Sequence, residues 1–113
     1  MHIDAYHFGS IVIDGVTYDD DVLVTQRGVR KGWWRKAGHD VALFDLAEAL
    51  DPPPSRIIIG TGAHGQCRVL SDIGAYCKRH GIELVIVPTP EAVVEFNALA
   101  DQSTTVAALH LTG

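Results

Sequence analysis

The sequence predicts an α/β fold built around a parallel pair of strands, and three features predict it. Ile57, Ile58 and Ile59 are consecutive and β-branched, the pattern of a strand covered on both faces. Residues 82–87 form a second near-continuous apolar run. Between them, Ser71, Asp72, Ile73, Tyr76, Cys77 and Gly81 read as a helix with a start signal, a buried stripe and a glycine stop. Strand, helix and strand in that order make a right-handed crossover unit.

Size and composition bound the rest. With 113 residues, 47% apolar and 20% charged, the chain fits one globular domain over 1–113 that buries a core without staples. A net charge of −5 argues against general binding to a nucleic-acid backbone, which needs clustered Lys and Arg. The first residues show no basic-then-apolar leader pattern, and no window nears ~18 uninterrupted apolar residues. A soluble, cytoplasmic protein without a membrane span is expected. Cys67 and Cys77 form no CxxC pair, which predicts two small semi-buried thiols and not a zinc site or disulfide.

In chain order, residues 10–13 and 16–18 flank Asp14-Gly15, a β-hairpin with a type I′ turn. Asp19, Asp20 and Asp21 read as a solvated turn, because they lack the spacing and closing Glu of a calcium loop. His2, Asp4 and His7 could converge on a metal, yet a terminal segment is weakly constrained, and no metal site is assigned. Residues 22–25 form a strand. Arg27, Arg30, Lys31, Arg35 and Lys36 then crowd together with Trp33 and Trp34, although the chain has only nine Lys and Arg. That stretch is either a recognition surface, since Trp and Arg are favoured at hot spots, or a two-stranded arm whose charges keep an edge soluble. Strand alternation turns one Trp inward and the other outward.

Leu43, Phe44, Leu46, Ala47 and Leu50 predict a short amphipathic helix over 43–50, stopped by Pro52, Pro53 and Pro54. Residues 67–70 form a brief extended piece, and Ser71 is the expected N-cap of the following helix. Thr89 caps another helix, with Pro90 at N1, Glu91 in the first turn, and Val93, Phe96 and Leu99 or Ala100 buried. Residues 106–111 make the last strand.

Gly60-Thr61-Gly62-Ala63-His64-Gly65 has the spelling of a dinucleotide fingerprint. The helix opens near Ser71 and not at the third glycine, and Glu83 lies at the start of its strand and not the end. Only one such unit fits the chain, so no cofactor is assigned. A milder reading places Gly60, Thr61, Gly62, His64 and Thr89 at the ends of the parallel strands, where a helix N-terminus favours an anion. Equally, Gly62 serves a tight turn and Thr89 serves as a cap. Asn97, one residue after the buried Phe96, is a further ligand-binding candidate or else a structural residue that hydrogen-bonds the glycine turn. Cys67 or Ser71 with His64 lacks an orienting third group, so no catalytic residue is named.

GWWRKAGHDVALFDLAEAL, RIIIGTG, VPTPEAVVEFNAL and VAALHLTG, in this order and spacing, resemble the Mth-nine-three-eight-like domain. That family includes the mitochondrial respiratory complex I assembly factor 3 and an adipogenesis-associated eukaryotic protein. The resemblance runs from about Ile11 to the end. It implies a compact three-layer α/β fold with a mixed central sheet, flanking helices and an N-terminal β hairpin or arm. The matching positions are Trp34, Gly38, His39, Gly60, Thr61, Gly62, Thr89, Ala92 and Asn97. Many members carry an Arg shortly before the last strand, where this chain has Ser103, Thr104 and Thr105. No enzymatic activity is established for the family as a whole.

Two functional expectations follow. One is a non-catalytic interaction or assembly module whose surface includes Arg30, Lys31, Trp33, Trp34 and Arg35 and meets an unidentified protein partner. The other is a binder of, or enzyme acting on, a small anionic metabolite at Gly60–Gly62 and Thr89. Self-association through an exposed sheet edge is compatible with both.

Overall fold

The computed structural model describes all 113 residues. An N-terminal antiparallel sheet holds β1 (Ile3–His7), β2 (Ser10–Ile13) and β3 (Val16–Tyr18) in that order. The central sheet takes β4 (Val22–Thr25), β5 (Gly28–Lys31), β7 (Arg56–Thr61), β9 (Glu83–Val87) and β10 (Thr105–His110), ordered β5-β4-β10-β7-β9. It is mixed: β10 is parallel to β7 and antiparallel to β4, and β7 is parallel to β9. Two short strands, β6 (Asp40–Val41) and β8 (Arg68–Val69), pair in parallel beside it. The α-helices are α1 (Ser71–His80) and α2 (Thr89–Asn97).

Strand alternation divides the core in two. Leu23, Ile57, Ile59, Val106 and Ala108 pack on one face with Leu46, Ile73 and Cys77. Val22, Val24, Ile58, Ala107 and Leu109 pack on the other with Ala92, Phe96 and the N-terminal Ile3, Ile11 and Ile13. A continuous apolar run such as Ile57, Ile58, Ile59 is what a strand covered on both sides requires. The three layers and mixed sheet agree with the fold implied by the family resemblance.

Several elements differ from the sequence expectation. Leu43–Ala49 is a 3-10 helix, not an α-helix. Leu43, Leu46 and Ala49 recur every third residue and face the core, the spacing that a 3-10 helix stacks on one side. Phe44 is thereby turned to solvent, 73% exposed. Ser71 is the first helical residue after an N-cap at Leu70, and Thr89 follows an N-cap at Pro88. The basic stretch is no separate arm, because β4 and β5 form part of the central sheet. Residues 3–7, read as an unconstrained terminus, form a strand tied by side chains: Asn97 accepts from Ile3 N–H at 3.0 Å and donates to Ile3 O at 2.9 Å. Asn97 therefore serves β1, not the glycine turn.

Candidate functional site

At the glycine turn the chain fills its own space. Gly62 N–H donates to Thr89 Oγ1 at 2.9 Å, Thr89 N–H donates to Gly62 O at 2.9 Å, and Thr89 Oγ1 donates to His110 O at 2.6 Å. Thr61 Oγ1 donates to Val87 O at 3.2 Å. A Cβ added at Gly60 would stand 2.8 Å from Thr89 Oγ1, and one at Gly62 would stand 2.5 Å from Thr112 O. These glycines let three backbones meet: the end of β7, the start of α2 and the tail after β10. Gly60, Thr61, Gly62 and Thr89 are thus brought together and buried, whereas His64 is exposed on the loop beyond and Asn97 sits at the far end of α2.

A charged knot lies beside the end of β10. Asp21, read from sequence as part of a solvated turn, is largely buried. Its Oδ2 accepts from Arg35 Nη1 at 2.8 Å and from His110 Nδ1 at 2.7 Å, and its Oδ1 accepts from Leu111 N–H at 2.8 Å. An ionised carboxylate only accepts, so the His110 ring carries its proton on Nδ1. The 3.1 Å approach of Arg35 Nη2 to the same ring nitrogen is then a contact between two donors. Burial pushes the Asp21 carboxyl up, but the bonds from His110, Arg35 and Leu111 outweigh it and hold the group below its ordinary range. Arg35 also donates through Nε and Nη2 to Gly38 O, and its guanidinium lies 4.9 Å from the Trp33 ring centre.

The knot fixes the loop between β5 and β6. Trp33 N–H donates to Asp21 O, and Trp33 Nε1–H donates to Asp45 O, both at 2.9 Å. The Asp45 carboxylate accepts from Lys36 N–H at 3.1 Å and Ala42 N–H at 2.8 Å. With Trp33 and Arg35 anchored inside, Trp34 between them is thrown outward and left 72% exposed. Trp34 and Phe44 line one groove of about 290 Å³ together with Arg30, Gly32 and Glu48. Of the five residues expected at an interaction surface, Trp34, Arg30 and Lys31 are exposed, while Trp33 and Arg35 are supports behind it. Two exposed aromatic side chains lining one groove on a pinned backbone form an apolar patch of the sort that marks contact sites.

Sequence reasoning missed Asp21, His110 and Phe44. The first two lie 89 positions apart, so no local pattern links them. The threefold spacing of Leu43, Leu46 and Ala49 was the available signal for Phe44.

Residues 3–111 match the family described as "Protein of unknown function (DUF498/DUF598)". The chain belongs to this family. Among solved structures it is similar to a conserved hypothetical protein of Pyrococcus horikoshii OT3, at 23% identity and a TM-score of 0.86, covering 100% of both chains. It is similar to an outer membrane protein of Bartonella henselae at 21% identity and a TM-score of 0.81, covering 98% of this chain and 94% of that one. A Bordetella pertussis protein described as a Mth938-like domain matches at 19% identity and a TM-score of 0.71, covering 99% of this chain and 86% of that one. At these identities the likenesses establish the shared fold. No helix of the chain is long and apolar enough to cross a membrane.

Proposed function

We propose that this DUF498/DUF598 domain is a non-catalytic recognition module that takes a partner protein at the Trp34–Phe44 groove. The observation that carries the reading is the pair of aromatic side chains, 72% and 73% exposed, on a backbone pinned by Arg35, Trp33 and Asp45. Exposing such rings costs apolar hydration in the free protein, and holding them still lowers the entropy lost on binding. The expected partner presents an apolar side chain to the groove, within a rim formed by Arg30 and Glu48, while Lys31 projects from the opposite face of β5. The whole chain, 1–113, acts as one such domain in this reading. A cytoplasmic location belongs to it as well, because Cys67 and Cys77 are both free and buried, as suits a reducing compartment.

The alternative, an anionic metabolite at Gly60–Gly62 and Thr89, has less support. There the Gly62 amide and the Thr89 hydroxyl are bonded to one another, and Thr112 O lies against Gly62.

The test compares the wild-type chain with a Trp34→Ala/Phe44→Ala variant as bait in native lysate. Recovered partners are then purified and their affinities measured directly. Both side chains are exposed, so the variant should keep its circular dichroism. A partner held at least tenfold more tightly by the wild type supports the groove; equal affinity for both proteins removes it.

A further inference from the structure

We infer that β9 is a homodimer edge: two copies of this chain pair their β9 strands antiparallel about a two-fold axis at Val85. β9 is terminal in the central sheet and pairs only with β7. Its backbone directions follow from one bond and the register. Glu83 N–H donates to Ser55 O, and the pairs run without interruption from Arg56↔Glu83 to Gly60↔Val87. Glu83, Val85 and Val87 therefore turn their N–H and C=O groups towards β7, while Leu84 and Ile86 turn theirs outward. Neither Leu84 nor Ile86 bonds another segment through its backbone.

Those two residues are symmetrically placed about Val85, which makes the edge complementary to itself. With Val85 opposite Val85 of the second copy, Leu84 of each chain faces Ile86 of the other. Each such pair exchanges its N–H···O=C bonds, so every outward group of the strand is satisfied. The same register sets Glu83 opposite Val87, so no two carboxylates oppose one another, and Glu83 stays within reach of its own Arg56 at 2.8 Å. From Leu84 to Val87 the strand is wholly apolar, without the Lys, Pro or bulge that usually protects a free edge. Ile86 is 46% exposed in the single chain. A self-complementary strand that carries no charge at its centre fits a second copy of itself, the commonest closed symmetry of soluble oligomers.

Analytical ultracentrifugation of the full chain from micromolar to millimolar concentration, with hydrogen exchange of the β9 amides, tests the pairing. The expected result is a mass that doubles with concentration, and Leu84 and Ile86 amides whose exchange slows in step. Ile86→Pro removes only an outward N–H, and Ile86→Lys places a charge beside the axis. Both should remain at single-chain mass with unchanged circular dichroism. If Ile86→Pro fails to fold, Ile86→Lys decides. A single-chain mass at every concentration, a dimer that persists in the folded variants, or amide exchange indifferent to concentration would each overturn the proposal.

Discussion

The central sheet ends in two free edges of different kinds. At β5 the edge residues include Arg30 and Lys31, and the neighbouring loop is held by a buried ion pair that sets out Trp34. At β9 the edge is Leu84 to Val87, with no charge inside it and no further strand beyond it. Both offer unpaired backbone. Charge along an edge discourages indiscriminate strand pairing and leaves recognition to side chains, whereas an uncharged edge leaves it to the backbone. The contrast teaches that one small sheet can carry two contact chemistries, side chain at one border and main chain at the other.

The largest test of the contrast is at the β5 side. Arg35→Met leaves the Asp21 carboxylate with only His110 and the Leu111 N–H, and losing a hydrogen bond to a charged group costs about 1.5–3 kcal/mol. Urea unfolding should show that loss, and a change below about 1 kcal/mol would mean the knot does not hold the loop. At β9, Val85→Pro deletes a bond to β7 and leaves Ile57 O without its partner, a cost of about 1–3 kcal/mol, whereas Ile86→Pro should spare that bond. Equal melting temperatures for the two variants would refute the assignment of inward and outward groups.

The paired substitution of Trp34 and Phe44 by Ala should reverse the pattern. Partner affinity should fall by about 2 kcal/mol, roughly thirtyfold, while urea stability moves by no more than about 0.5 kcal/mol. Calorimetric titration and unfolding on the same samples would measure both. A smaller effect comes with acid. The Asp21 carboxyl lies below its ordinary value when folded, so its contribution to stability is complete above an unfolded value near 3.9 and is lost as pH falls towards the folded one. Wild type should therefore lose more stability on acidification than Asp21→Asn; parallel curves would show that the carboxylate contributes none. Least of all, Arg30→Ala should weaken partner binding by under about 1 kcal/mol, mostly through association rate and salt dependence. Surface plasmon resonance at two ionic strengths would detect it.

Local signals in the chain were legible where local chemistry decides the outcome. Asp14 and Gly15 adopt φ of 48° and 79°, as the Asp-Gly hairpin demands, and Gly81 ends α1 at φ 66°. One tryptophan is inside and one outside, as expected. The reason is different: Trp33 and Trp34 lie in a loop after β5, and hydrogen bonds to Asp21 and Asp45 sort them, not strand alternation. Ser71 and Thr89 are good capping residues by type. At Thr89, though, the hydroxyl is taken by Gly62 N–H and His110 O, a tertiary demand that outweighs the local one.

By itself the sequence determined the layers. Runs such as Ile57, Ile58, Ile59 must be covered on both faces, and helices on either side are the cover that the intervening segments supply. Only the tertiary structure decided which groups became special. Asp21 and His110 acquire their roles because β10 lies between β4 and β7 and brings the chain's end back against its beginning. Whether a strand is central or terminal likewise depends on which segments arrive beside it. β7 and β9 read alike as apolar runs, yet one is enclosed on both sides and the other is left with an open edge, because hydrogen-bond partners are assigned by topology and not by residue type.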